Sequence, residues 1–235
     1  MTVEEIVEEL RSFGSESTKS VLIKHGAKEP FFGVKVGDLK KIQKRIKKSH
    51  DLALGLYDTG ISDAMYLAGL IAEDGRMTPD DLQRWAEQAY WYMLSEYTVA
   101  WVTAESRYGW EMALQWIDSD KENIASSGWA TLSGLVSLTE DSALNMPRIE
   151  SLLERVEQSV HRQPNRVRST MNGFVISAGV YVPPLADFAL GVAGRIGRVS
   201  VDVGETACKV PLAADYIHKC LARGSGGKKR KTVKC

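Results

Sequence analysis

What most constrains this chain is a succession of capped, amphipathic helical segments that leaves almost no stretch for strands. Thr2 with Glu5 reads as a capping box, and Val3, Ile6, Val7 and Leu10 follow at the spacing of one helix face. A short helix is predicted from about Glu16 to Lys24, then a Gly/Pro loop in "HGAKEPFFGV". Val36, Leu39, Ile42 and Ile46 repeat the helical spacing, and "HDLALGLY" makes another short helix that ends at "DTG". Pro79 behind Thr78 is a strong start signal, and "ISDAMYLAGLIAE" with the stretch after Pro79 reads as an antiparallel pair. Further helices are predicted at about 95–107, 109–118, 122–138, 147–160, 166–180, 185–196 and 213–223. Only "RVSVDVG" (198–204) alternates like a short strand.

Helix–loop–helix pairs recur roughly every 35–45 residues, the size of a HEAT-like repeat unit. The expected fold is therefore all-α: antiparallel helix pairs stacked into a curved α-solenoid, with a compact irregular bundle as the alternative. Residues 1–223 are expected to form one domain, and 224–235 ("GSGGKKRKTVKC") read as a flexible basic tail. At 235 residues and 44% hydrophobic, the chain can bury a substantial core. No apolar run approaches the ~18 residues that would span a bilayer, so the expectation is a cytoplasmic protein with no membrane partner.

The net charge is zero, but the charges are segregated. Residues 4–16 hold five glutamates against Arg11, whereas 35–48 hold seven cations against Asp38. The tail contributes Lys228, Lys229, Arg230, Lys231 and Lys234 with no acid, and Arg162, Arg166 and Arg168 form a third cluster beside His161. Such runs are either solvated helix faces or contacts to a polyanion. Metal chemistry finds no support: His25, His50, His161 and His218 are scattered, and Cys208, Cys220 and Cys235 read as reduced thiols. "GSGGKKR" lacks phosphate-loop spacing, and no GxSxG elbow occurs, so no cofactor is expected.

One long phrase carries a resemblance. "FFGVKVGDLKKIQKRIKKSHDLALGLYDTGISDAMYLAGLIAE" is similar to the N-terminal signature of the AlkD-like DNA alkylation repair family, specifically over about residues 20–75. The resemblance implies a HEAT-like solenoid whose basic concave face holds duplex DNA. Active members release N3- and N7-alkylpurines, with aromatic faces and a carboxylate stabilising the oxocarbenium-like transition state. They use a Trp and an Asp on one helix, an Arg in a Trp-x-x-Arg-x-Ala phrase, and a second Trp in a Lys-Ala-x-Gly-Trp phrase.

This chain departs at each point. "GWATLSG" aligns Trp129 with the first phrase but places Leu132 at the arginine, and "VRSTMNGF" places Gly173 at the second tryptophan. The Trp/Asp helix corresponds to "SEYTVAWVTAES", which holds Trp101 and, as acids, Glu96 and Glu105. Candidate catalytic residues are thus Glu96, Trp101 and Glu105. Candidate DNA contacts are Trp129, Arg162, Arg166, Arg168, Lys209, Lys228, Lys229, Arg230 and Lys231, with Trp129 also readable as a packing anchor between helices. Three functions compete: a glycosylase with a rebuilt site, a non-enzymatic DNA-binding solenoid, and a solenoid that binds a protein partner. The expected partner is double-stranded DNA, alkylated in the first case.

Overall fold

A computed structural model describes residues 1–234; Cys235 lies outside the described residues. Among the described residues there are thirteen α-helices and no strand. After α1 (Val3–Phe13), α2 (Glu16–Lys24) and α3 (Val36–Ile46), the chain settles into successive pairs. These are α4 (His50–Asp58) with α5 (Ser62–Ile71), and α6 (Pro79–Gln88) with a π-wound segment Met93–Val99 that runs on into α7 (Ala100–Glu105). Then come α8 (Gly109–Trp116) with α9 (Glu122–Leu138), α10 (Met146–Ser159) with α11 (Asn165–Tyr181), and α12 (Ala186–Ile196) with α13 (Ala213–Ala222).

The second members of the pairs pack side by side as an inner row, in the order α5, π-segment and α7, α9, α11, α13. The first members cover them as an outer row. This is a two-row solenoid, as the helical repeats imply, and not an irregular bundle. Its burial follows the sequence patterns. Inner helix α5 is "SDAMYLAGLI", apolar almost all round, and every residue of it is buried. Outer helix α6 opens on the Thr78–Asp81 capping box and buries one stripe, Leu82, Trp85 and Ala86. The expected α5–α6 pair is replaced by α4–α5, because the turn at Asp74–Arg76 carries the chain out of the inner row into the next repeat. Trp85, Trp116 and Trp129 are fully buried, and Trp85 lies flat on Tyr57 at 4.0 Å between ring centres. Each such side chain contributes roughly 2–3 kcal/mol by burial.

Two segments depart from the expected pattern. Residues 198–204 form no strand. The side-chain amide of Asn165 instead takes both backbone groups of Asp202, donating to its oxygen (2.9 Å) and accepting from its nitrogen (2.7 Å), as a neighbouring strand would. The segment then crosses to the other end of the molecule, where Gly204 (φ +69°) lies so close to the Lys24 carbonyl that a Cβ would sit 2.5 Å from it.

The tail, expected to be flexible, is docked. Gly227 N–H donates to Val180 O (2.8 Å) and Arg230 N–H to Ser137 O (2.8 Å). Glu105 accepts from the Thr232 hydroxyl and from Val233 N–H (2.8 Å), and Lys234 Nζ reaches Asp74 at 2.5 Å. Val233 is buried. The chain thus retraces the inner row along its C-terminal edge, from α11 past α9 and α7 to the end of α5. Free backbone carbonyls and Glu105 at those helix ends hold it there.

Candidate nucleic-acid interface

The open face of the inner row carries two adjoining clefts of about 580 and 470 Å³. Their shared floor is small because α9 and α11 both turn small residues outward. Ala130, Ser133, Gly134 and Ser137 line the second cleft from α9, and Ser169 and Gly173 line both from α11. A Cβ added at Gly173 would meet nothing within 4 Å, so this position is open groove.

Aromatic groups stand on the floor's flank. The i→i+5 winding of Met93–Val99 widens that turn, a distortion often found at functional sites. Tyr97 projects from it at the junction of the clefts, is 39% exposed, and meets the edge of Trp101 at 5.5 Å. Trp101 is itself buried, held edge-on against Tyr66. Tyr92 lies flat beneath the Arg166 guanidinium, 4.3 Å from its carbon.

Arg166 and Glu96 form a fork: Nε to Oε1 at 2.6 Å and Nη2 to Oε2 at 2.7 Å. The Glu96 side chain is only 8% exposed. Burial pushes its carboxyl above the ordinary glutamate range, and the guanidinium across from it works in the opposite direction. Glu122 anchors the same corner by accepting the backbone N–H of Arg166 at 2.7 Å. Exposed cations surround the clefts, with Lys28 and Lys209 on the first and Arg230 on the second.

A family model described as DNA alkylation repair enzyme matches residues 6–195. The chain belongs to that family. It is similar over its whole length to a solved structure described as a new family of proteins related to the HEAT-like repeat DNA glycosylases with affinity for branched DNA structures. The two are 39% identical with a TM-score of 0.92, and each covers 100% of the other. It is also 33% identical over 229 residues to an uncharacterized protein of Listeria monocytogenes and 32% identical to one of Listeria innocua, in each case covering 95% of this chain and 99% of the relative. The two-row solenoid is accordingly a HEAT-like repeat fold.

Within this alkylation repair fold, the residues singled out by sequence are divided among different tasks. Glu96 and Trp101 border the second cleft, but Glu96 faces Arg166 and Trp101 presents little surface. Glu105, one turn beyond Trp101, holds the tail. Trp129 is 1% exposed and packs on Phe174 at 5.4 Å, so it is an anchor between helices and no DNA surface. Leu132 is fully buried, which means an arginine at this position would have to enter the core; Ser133 is the neighbour that reaches the groove.

The arginine cluster splits because residues two apart on a helix diverge. Arg166 enters the groove, Arg168 lines neither cleft and bonds Asn165, and Arg162 is exposed at the turn before α11. In the tail, Lys229 points inward, while Lys228, Arg230 and Lys231 are exposed. Sequence reading missed Tyr92, Tyr97 and the bridging role of segment 198–212, in which it had singled out only Lys209 as a DNA contact. The run "YWYM" at 90–93 was the available signal, an aromatic cluster with no helical spacing to place it in a core.

Proposed function

We propose that this protein is a DNA-binding member of the alkylation repair family that holds branched DNA in its groove and does not excise alkylated purines. The observation that carries this reading is the engagement of both candidate carboxylates. Excision needs an anionic group free to face a developing positive charge on the sugar. Glu96 is neutralised by a forked guanidinium, and Glu105 accepts two hydrogen bonds from the tail. The open groove supports binding: Lys28, Lys209 and Arg230 can neutralise phosphates, and Tyr97 offers a face or edge to an unstacked base. The affinity for branched DNA described for the 39%-identical structure supports the choice of ligand.

Equilibrium binding to a four-way junction, a fork and a linear duplex of matched sequence, across a salt series, tests the reading. The expected order is junction or fork over duplex, with affinity falling steeply as salt rises. Equal, salt-insensitive binding to all three, or none, would overturn it.

A further inference from the structure

The two basic stretches that lie furthest apart in the sequence meet in the fold. Asp74, in the turn after α5, accepts Lys48 Nζ at 3.3 Å on one carboxylate oxygen and Lys234 Nζ at 2.5 Å on the other. Lys48 also donates to Ala72 O at 2.7 Å. Asp74 and Lys234 are 12% and 8% exposed, so this is a latch and not a passing surface contact. It joins the basic end of α3 to the end of the docked tail.

The tail also reverses the electrostatic sign of the edge it covers. The C-terminal ends of α5, α7, α9 and α11 lie beneath it, and helix C-termini present unpaired carbonyls and negative dipole ends. Lys229 satisfies two of these carbonyls, Val136 O at 3.1 Å and Tyr181 O at 2.7 Å, and pairs with Asp141 at 2.8 Å. Lys228 and Lys231 stay exposed on the outside of the tail, and Lys44 and Lys47 stay exposed one turn and one residue before Lys48. None of these four forms an ion pair among the described residues. A carbonyl-rich edge thus becomes a row of free ammonium groups that continues onto α3.

We propose that the docked tail and the C-terminal end of α3, joined through Asp74, form one basic rim that binds the phosphate backbone of a second arm of branched DNA, while the groove holds the first. This rests on the reading of the groove as a branched-DNA site. It explains why the acid-free tail is anchored along the helix ends: a tethered row of cations binds a fixed backbone with less loss of freedom than a loose one. The linear duplex has one arm and engages the groove alone.

The test uses the full-length chain and two charge-reversal pairs at exposed positions, Lys44→Glu with Lys47→Glu, and Lys228→Glu with Lys231→Glu. Melting curves should match the parent; Lys→Gln versions replace any pair that does not. Each pair should weaken junction binding at least tenfold and duplex binding no more than threefold. Each should also reduce the slope of log K against log salt by about 2 for the junction, since each phosphate contact contributes ~0.9. Equal losses on junction and duplex would overturn the rim, as would no loss, or a loss from one pair only. If the unaltered protein shows no preference for the junction, the groove reading itself fails, a result distinct from the other three.

Discussion

The two edges of the inner helix row use the same kinds of residue in opposite ways. At the N-terminal edge, Arg166 turns inward onto Glu96 and Tyr92, and Asn165 fastens a bridging segment. There the charges of Arg166 and Glu96 cancel one another. At the C-terminal edge, two lysines turn inward, Lys229 onto helix ends and Lys234 onto Asp74, while Lys228 and Lys231 remain outside. A cation's role here depends less on its presence than on whether a carboxylate or a carbonyl lies within reach. The N-terminal edge is therefore built as a fixed corner, and the C-terminal edge as a charged surface.

The contrast can be broken most strongly at the corner. Arg166→Ala leaves Glu96 buried without its partner and should destabilise the fold by about 3–5 kcal/mol, read by urea unfolding. Replacing both by leucine should cost much less than the single change, because no uncompensated charge remains. Equal costs would show that the pair acts only through packing. The next largest effect is expected at the other edge. Ending the chain after Gly224 removes Val233 from its site and frees the α9 and α11 carbonyls, for a loss of about 2–3 kcal/mol. A truncated chain as stable as the parent would show that the tail is not anchored.

Lys234 sharpens the comparison through pH. Burial is the main cause that lowers it from 10.5 to about 8, and Asp74 offsets part of the shift. The docked tail thus binds fewer protons than the undocked tail between pH 8 and 10.5. Docking should strengthen as pH rises through that window, and the gain should vanish as pH falls through about 8. Nitrogen NMR of the Lys234 ammonium should find its midpoint near 8, and lower still in Asp74→Asn; a midpoint of 10.5 would place this lysine in solvent. The smallest effect is expected on the groove floor between the edges. Gly173→Ala places a methyl in open space within α11 and should stabilise the fold by about 0.5–1 kcal/mol.

The helical pairs were legible in the sequence because caps and apolar stripes are local. The starts of α1 at Thr2 and of α6 at Thr78–Pro79 follow from a few adjacent residues. Contacts between distant residues were not legible. Val199, Val201 and Val203 alternate like a strand, but the partner that decides their structure is a side chain on α11. The tail looks free because its acceptors, Ser137 O, Glu105 and Asp74, belong to three different repeats. Charge composition identified the right segments, yet Arg166, Arg168 and Lys229 show that helical phase and local acceptors decide which charges face outward.

The central claim is that the groove binds DNA while neither Glu96 nor Glu105 is free for chemistry. The most direct test is the release of 7-methylguanine and 3-methyladenine from methylated duplex and junction DNA at protein excess, with binding confirmed in the same samples. The expected result is complete binding of the junction with release no faster than spontaneous depurination. Release well above that background would contradict the claim, and its loss in Glu96→Gln or Glu105→Gln would assign the chemistry to the carboxylate concerned.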